Sequence, residues 1–389
     1  MFDPDETSLA VLRRSLAATA ATHDVQGGFP KDNIARLHER GVLGLTVPIR
    51  HGGSGRGLAD AARVVGAVGG GESATGLLLA MHYVMLAVLQ STDSVAYAEL
   101  ARRAVVDGAV LNALQAEPDM GSAARGGLPA TIARATDDGG WRIDGIKAWA
   151  TGSGVVDTWL VLARTDEAER SRVGLWLVPS DSEGIDIDPS WNHIGLRASA
   201  SHTLRLDGVR VSADACLAMH EPGSADARRQ SSVIQVWNGV LLAALYDGVA
   251  RAGRDWLLRF LNDRVPSGLG ASLATVPRIQ SVVGEIESLL TVNRVMIDDA
   301  SRHADSDGGL SPQHARLVKM VVTENAVTAL DLALSVSGNH GLDRSNPLER
   351  HFRDALCGRV HGPQSDTVLS ALGLAALGDP ALRKADDTP

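Results

Sequence analysis

The periodicity of the apolar residues changes twice along the chain, and this change constrains the fold more than any other sequence feature. Up to about residue 107, apolar residues recur at helical spacing, and residues 73–89 are apolar nearly all round, which is typical of a buried helix. From about residue 109 to 215, alternating runs such as His202-Thr-Leu-Arg-Leu206 and Asp-Gly turns indicate β-strands. From about residue 225, long apolar stripes with short connections return. This order predicts a helical region, then a β-barrel or sandwich, then a helical bundle.

Charge and cysteine content limit the partners and the compartment that we expect. The net charge of −9 gives no support to a nucleic-acid-binding surface. The two cysteines, Cys216 and Cys357, lie far apart, which argues against a disulfide framework and favours a reducing cytoplasm. The N-terminus has no apolar signal core, and the longest apolar stretch, residues 76–89, is too short to span a membrane. We expect a cytoplasmic enzyme with no nucleic-acid and no membrane partner.

Two classes of catalytic site have no support from motifs. The histidines show no HxH, HExxH or His-Cys pairing, so we expect no metal site. A Gly-x-Ser-x-Gly nucleophile elbow is also missing, which argues against a hydrolase.

Four local motifs follow one another in an order that points to a family. They are Gln115-Ala-Glu-Pro-Asp-Met-Gly-Ser122, Asp144-Gly-Ile-Lys-Ala-Trp-Ala-Thr-Gly152, Gly195-Leu-Arg-Ala-Ser-Ala-Ser-His202 and Asn346-Pro-Leu-Glu-Arg-His-Phe-Arg-Asp354. Together they resemble the acyl-CoA dehydrogenase superfamily of flavoproteins over nearly the whole chain. The resemblance implies an α+β fold with an N-terminal helical domain (1–108), a middle β-barrel domain (109–220) and a C-terminal four-helix bundle (221–389).

The resemblance also implies a flavin site in the middle domain. It places Thr151 near N5 of the isoalloxazine ring and Trp149 against the ring, with backbone contacts from Leu114 and Ala116. A threonine hydroxyl is both donor and acceptor and can serve N5 in either redox state, while tryptophan offers a large apolar face. Ala116 stands where the family usually has threonine, so one hydroxyl contact is missing. Ser122 is expected to face the substrate.

The catalytic base of an acyl-CoA dehydrogenase is missing from the sequence. The family uses a glutamate in one of two places to remove a proton α to the thioester. The place after the Arg353-Asp354 pair is occupied by Gly362. The other place falls near Asn238, and no acid occurs from Ser231 to Tyr246. Both positions are therefore vacant.

The segments that resemble the adenosine half of the FAD site are only partly preserved. The family's Arg-x-x-Phe-Gly reads Arg264-Val-Pro-Ser-Gly-Leu-Gly270, and its Gln-x-x-Gly-Gly-x-Gly reads Ser337-Gly-Asn-His-Gly341. The resemblance assigns four positions of this region to the cofactor: Arg264, Gly338, Gly341 and Gln364. FMN is therefore as acceptable as FAD.

These departures resemble a branch of the same superfamily, the flavin-dependent monooxygenases that include dibenzothiophene and sulfone desulfurisation enzymes and amine N-hydroxylases. Such enzymes take reduced flavin from a separate flavin reductase and react it with O₂ to form a C4a-hydroperoxide. That chemistry needs a dry pocket, a hydrogen bond to the peroxide and a proton donor. His82 and His361 match, in segment and order, histidines that this branch places near the flavin, and the ordinary pKa of histidine lies near working pH.

We therefore predict a two-component monooxygenase that acts on a small organic substrate with reduced FMN or FAD and O₂. The predicted catalytic residues are His82, His361 and Thr151. The predicted substrate contacts are Ser122, Trp237, Asn238 and Tyr246, which suggest a partly polar aromatic or heteroatom substrate. Because the flavin of this family spans two subunits, we also expect a homodimer or homotetramer.

Two alternatives remain open at the level of the sequence. One is an acyl-CoA dehydrogenase that uses FAD and a relocated base, either His361 or Glu285. The other is a non-catalytic flavin or acyl-thioester binding protein that has kept the scaffold.

Overall fold

The N-terminal region is a set of five helices in which one helix is almost completely buried. The computed structural model describes residues 2–92, 95–119, 128–167 and 171–378. The helices are α1 (Glu6–Gln26), α2 (Lys31–Glu39), α3 (Leu58–Gly71), α4 (Ser73–Ser91) and α5 (Val95–Val106). Glu72 precedes α4, and its carboxylate accepts hydrogen bonds from the amides of Ala74 and Thr75, which satisfies donors that a helix start leaves unpaired. This helix then contacts both the sheet and the bundle.

The middle region is one eight-stranded sheet. Its strands are β1 (Leu111–Leu114), β2 (Ile132–Ala135), β3 (Trp141–Ala150), β4 (Thr158–Thr165), β5 (Val173–Pro179), β6 (Ile185–Asp188), β7 (His202–Val211) and β8 (Cys216–His220). They lie in the order β6-β7-β3-β2-β4-β5-β8, and β1 pairs with β4. Ala150 at the end of β3 pairs with His202 at the start of β7, so the segments flanking these two residues lie side by side.

The C-terminal region is a bundle of long helices. It contains α6 (Ala225–Asp263), α7 (Pro277–Ala304), α8 (Pro312–Ser337), α9 (Asn339–Leu342), α10 (Leu348–Val360) and α11 (Ser365–Leu377). In this bundle α8 packs on α6, α7 and α10, and α6 also packs on α7 and α10 and on α3 and α4 of the N-terminal region. The helical, β and helical order and the predicted fold class are thus confirmed, with the changes of structure between Val106 and Leu111 and between His220 and Ala225.

The helices α3 and α6 meet at two glycines. A Cβ atom added to Gly248 would lie 2.0 Å from the carbonyl oxygen of Gly66. Glycine therefore sets the distance between the two helix backbones at this crossing, and the bundle is joined to the N-terminal helices through direct backbone contact.

A single carboxylate joins all three regions. Asp354 on α10 accepts hydrogen bonds from the hydroxyl of Ser73 (2.5 Å) at the start of α4 and from the amide of Leu196 (2.7 Å) before β7. Burial raises the pKa of Asp354 to about 6. The neighbouring Arg353 forms an ion pair with Asp24 of α1 at 2.8 Å, so this end of α10 is fixed on two sides.

Two helices, Ser73–Ser91 and Ala225–Asp263, are long and apolar enough to cross a membrane by length and composition alone. The first is longer than the apolar stretch that the sequence indicates. Within the protein their most apolar windows are 89% and 67% buried, which is typical of core helices, so the two segments are weak evidence for a membrane span.

Candidate functional site

A chain of three buried hydroxyls lies where β3 ends and β7 begins. The Oγ1 of Thr151 is 2.9 Å from the Oγ of Ser201, which is 2.8 Å from the Oγ of Ser199. The side-chain amide of Asn112 donates to the carbonyl oxygen of Thr151 at 2.9 Å and fixes its backbone. Each hydroxyl donates one hydrogen and accepts another, so the hydrogens of this chain can point toward Thr151 or away from it.

Trp149 carries an exposed apolar ring two residues before Thr151 in the chain. Its side chain is 51% exposed, although two residues later Thr151 is nearly buried. The backbone of Trp149 is left-handed, with φ of 56°, a conformation that costs a bulky residue of order 1–3 kcal/mol and is concentrated at functional sites. A flat ring with a polar edge, such as a flavin, would cover the tryptophan and meet the Thr151 hydroxyl. The chemistry of these residues therefore fits the flavin expected from the sequence.

The two other predicted flavin contacts in this region can act only through their backbones. The side chain of Leu114 is buried in β1. The carbonyl oxygen of Ala116 accepts a hydrogen bond from the amide of Ala148 at 3.0 Å, which holds the 115–117 segment against β3. Ser122 lies outside the described residues.

A buried ion pair, which the sequence analysis did not single out, supports both flavin motifs. The ammonium group of Lys147 on β3 donates to Glu117 at 2.7 Å and to the carbonyl oxygen of Leu162 at 2.6 Å. Glu117 also accepts from the amide of Thr131 at 3.0 Å. Burial alone would raise the pKa of Glu117, but the bonds from Lys147 and Thr131 outweigh it and lower that pKa. The signal for this pair was available, because each partner lies inside one of the quoted motifs.

The two vacant base positions touch each other. The side-chain amide of Asn238 on α6 donates to the carbonyl oxygen of Gly362 at 3.2 Å. Two positions that are 124 residues apart in sequence therefore converge on one place, as expected for a family that can put its base at either. Neither residue has a titratable group, so this place offers no base of its own.

A tyrosine and a histidine form a fixed pair next to this place. The hydroxyl of Tyr246 lies 2.7 Å from the Nδ1 of His361, and burial raises the pKa of Tyr246 well above its ordinary value. Burial, helped by the charge of Lys319, lowers the pKa of His361 to about 4. At neutral pH the phenol is thus the donor and Nδ1 the acceptor, which leaves the hydrogen of His361 on Nε2. Among the described residues no protein atom takes that hydrogen.

This geometry changes the role predicted for His361. A histidine with a pKa of about 4 is not a charged acid near neutral pH. It is a neutral imidazole that can donate one hydrogen bond from Nε2. Tyr246 is completely buried, so it orients His361 and does not line an open substrate pocket as predicted.

The structure argues against a catalytic role for His82. Its ring is completely buried, and both nitrogens are bonded to backbone groups. The amide of Leu111 donates to Nδ1 at 3.1 Å, so Nε2 carries the hydrogen and donates to the carbonyl oxygen of Leu43 at 3.0 Å. Burial lowers the pKa of His82 to about 4. The residue joins the N-terminal helices to β1 and has no nitrogen left for a ligand.

One of the residues predicted for the adenosine half, Arg264, lines a separate cavity. This cavity of about 380 Å³ is lined by Trp256, Arg259, Phe260, Asp263, Arg264, His340 and Asn346. It brings Arg264, which follows the end of α6, together with His340 of α9, while the predicted Gly338 and Gly341 do not line it. Aromatic rings and two guanidinium groups fit a flat base with phosphate groups. Gln364 precedes α11 and does not line this cavity, and Trp237 lies half-buried on α6.

Three family models match the chain. They describe the N-terminal, middle and C-terminal domains of acyl-CoA dehydrogenases and match residues 6–94, 113–209 and 240–364. YdbM of Bacillus subtilis (strain 168), whose assignment as an acyl-CoA dehydrogenase is itself provisional, is 31% identical over 370 residues, which cover 92% of each chain.

Two further similar proteins have names that describe other reactions. The amino sugar nitrososynthase DnmZ of Streptomyces peucetius is 25% identical over 91% of this chain and 87% of its own. The FMN-bound crystal structure of TdsC from Paenibacillus sp. A11-2, a dibenzothiophene monooxygenase, has a TM-score of 0.84 at 21% identity and covers 94% of this chain and 95% of its own. At this level of identity TdsC establishes the fold alone. The chain belongs to the acyl-CoA dehydrogenase family of flavin-dependent oxidoreductases.

Proposed function

We propose that this protein is a flavin-dependent monooxygenase that uses reduced flavin and O₂ to oxidise a small organic substrate. The observation that carries the proposal is the pair formed by Tyr246 and His361. A neutral hydrogen-bond donor, His361, is adjacent in sequence to one of the two vacant base positions, which contact each other, and neither position carries a carboxylate. A dehydrogenase needs a base at this place, whereas a monooxygenase needs a donor.

Four residues of the chain would have distinct roles in this reaction. Thr151 would hold one edge of the flavin ring and Trp149 would cover it. His361 would donate its Nε2 hydrogen to oxygen bound between ring and bundle, and Tyr246 would keep that hydrogen on Nε2. The flavin, once bound and reduced, supplies the electrons that activate O₂.

The relatives support this reading in part. DnmZ, which is similar in sequence, is named as acting on an amino sugar, and TdsC, which shares the fold of this chain, is a monooxygenase with FMN bound. The proposed substrate is correspondingly a small molecule with a heteroatom or an aromatic ring. A separate reductase would supply the reduced flavin in the cytoplasm.

An assembly of two or four copies is part of the proposal. Exposed apolar side chains recur on two outer helices, at Val292 and Val295 on α7 and at Leu369, Leu374 and Leu377 on α11. Burying them between copies would remove apolar surface from water. Light scattering coupled to size-exclusion chromatography measures the mass, and a monomer would contradict this part of the proposal.

The test is to mix the protein and anaerobically reduced FMN or FAD rapidly with oxygenated buffer and follow the flavin absorbance. We expect a slow phase that free reduced flavin lacks. His361→Ala should shorten this phase at least tenfold, because the hydrogen-bond donor is lost. His314→Ala, at an exposed histidine of α8, should leave it unchanged. Reoxidation at the rate of free flavin would contradict the proposal.

The second candidate is an acyl-CoA dehydrogenase, favoured by the similarity to YdbM. Both replacement bases are poorly suited: His361 has a pKa of about 4, and Glu285 is exposed on α7. This candidate predicts that oxidised flavin bound to the protein is bleached by an acyl-CoA under anaerobic conditions. Bleaching by acyl-CoA together with ordinary reoxidation would make it the better assignment.

A further inference from the structure

Lys319 is a fully buried cation whose neighbours on α8 are apolar or uncharged. Its side chain is 1% exposed, and Ala315, Val318, Val322 and Thr323 are buried on the same face of the helix. Within the part of the chain that the structure describes, Lys319 forms no ion pair with a carboxylate. Burying an ammonium group without a carboxylate is costly unless its hydrogens are bonded.

Three backbone carbonyls take the three hydrogens of this ammonium group. They belong to Gly358 (2.7 Å), His361 (2.5 Å) and Pro363 (3.1 Å). The first lies in the last turn of α10, where carbonyls have no partner inside the helix and a cation is favourable. The other two flank Gly362 in the following loop. A lysine has three donors and no acceptor, so its capacity is completely used by this loop.

The three bonds fix the segment that carries the imidazole of His361. Lys319 of α8 binds the backbone of this loop. Tyr246 of α6 donates a hydrogen bond to the ring of His361, and Asn238 of α6 donates one to the carbonyl oxygen of Gly362. The position of the ring thus depends on hydrogen bonds from two helices, α6 and α8.

We propose that Lys319 is a positioning residue for His361, acting through the backbone carbonyls of residues 358–363. The charge of Lys319 also contributes to keeping the imidazole neutral, which Nδ1 requires in order to accept the Tyr246 hydrogen. The other ionisable groups around the cluster are Asp354 and Cys357 on α10, both of which act on Tyr246, and the ion pair of Glu324 on α8 with Arg359 on α10. The inference rests on the proposed function only for what His361 does in the reaction.

The first test is an NMR pH titration of the His361 ring in the flavin-free protein, with the signal assigned by His361→Ala. In the unaltered protein, we expect the ring to stay neutral down to about pH 4. In Lys319→Met, the loop loses its anchor and the ring loses a repelling charge, so its pKa should rise by at least one unit toward 6.5. An unchanged pKa in folded Lys319→Met would overturn the proposal.

The matched control is Arg359→Gln. Arg359 also joins α10 to α8, at 2.8 Å from Glu324, but through exposed side chains that do not hold the loop. Its loss should leave the His361 pKa within a few tenths of the original value. If Arg359→Gln raises that pKa as much as Lys319→Met does, general loosening of α10 explains the effect and the proposal fails.

A second measurement does not depend on the folding of a variant. Burial lowers the pKa of Lys319 to about 8. In the unaltered protein, the His361 signals should therefore shift with a midpoint near pH 8 as the ammonium group loses its charge. Flat signals from pH 7 to 9 would contradict the coupling. Both measurements are made without flavin or substrate, so their failure is distinct from a failure of the proposed monooxygenase activity.

Discussion

The two fully buried lysines among the described residues, Lys147 and Lys319, are satisfied by different kinds of partner. Lys147 binds a carboxylate, Glu117, whereas Lys319 binds three carbonyl oxygens. A buried ion pair is stable only while both members are present. When one member is removed, the other becomes an unpaired charge in a dry environment. The three carbonyl groups that bind Lys319 are neutral, so replacing this lysine leaves no unpaired charge behind.

This difference leads to a prediction for the flavin-supporting pair. Lys147→Met should lower the free energy of unfolding by about 3–5 kcal/mol, because Glu117 becomes an unpaired buried charge. Adding Glu117→Gln should restore at least 1 kcal/mol, since the buried group is then neutral and still bonds to Thr131. Urea unfolding of the three proteins measures these energies. A double variant less stable than Lys147→Met would show that the charge of Glu117 is not what makes the single variant unstable.

At the level of helices, the effect on stability of replacing a glycine by alanine depends on what lies beside that glycine. Gly248 brings α6 onto the backbone of α3, whereas Gly284 lies exposed on α7 with no atom near the position of a Cβ. A Cβ is impossible at the first position without moving a helix. At the second it only removes backbone freedom from the unfolded chain.

Two alanine substitutions separate these effects. Gly248→Ala should destabilise the protein by about 2 kcal/mol or more, because the gain in helix propensity is smaller than the cost of overpacking. Gly284→Ala should stabilise it by about 0.5–1 kcal/mol. Thermal unfolding of the unaltered protein and of both variants at one pH measures these changes in stability. Equal changes at both positions would show that the α3 and α6 backbones are not in close contact.

The helices also show what the sequence could and could not predict. The order of the helical and β regions followed from periodicity along the chain, and the two vacant base positions followed from the family resemblance. The contact between Asn238 and Gly362 was not predicted, because the two residues are 124 positions apart. The role of His82 was also not predicted, because a lone histidine on an apolar helix has the same pattern whether its nitrogens meet a ligand or a backbone. Lys319 lies on the buried face of α8, which is a signal in itself, but its partners are about 40 residues away and no local pattern marks them.

In the molecule as a whole, buried titratable groups make stability depend on pH. Burial lowers the pKa values of His82 and His361 to about 4 and that of His351 to about 3, so the unfolded chain binds protons below pH 6.5 that the folded chain does not. Asp354 has the opposite effect. Because its pKa is raised to about 6, the folded chain binds a proton between about pH 6 and 4 more tightly than the unfolded chain does.

The sum predicts acid destabilisation. Between pH 6.5 and 4 the three histidines should lower the free energy of unfolding by about 8 kcal/mol, and Asp354 should return about 2 kcal/mol. Asp354→Asn keeps an acceptor for Leu196 and removes the compensating group, so its stability should fall more steeply with decreasing pH. Denaturant unfolding of flavin-free protein at a series of pH values measures both curves. Parallel curves would mean that Asp354 titrates alike in the folded and unfolded chains.

The carboxylate of Asp354 also has a consequence for recombination between relatives. The three regions look like exchangeable modules along the sequence, but Asp354 on α10 takes one donor from Ser73 and another from Leu196. A chimera that imports the bundle from one relative and the helices or the sheet from another would have to inherit this trio together. Crossover points placed at the region boundaries would separate it, so chimeric libraries should yield folded protein mainly when all three residues come from parents that share them.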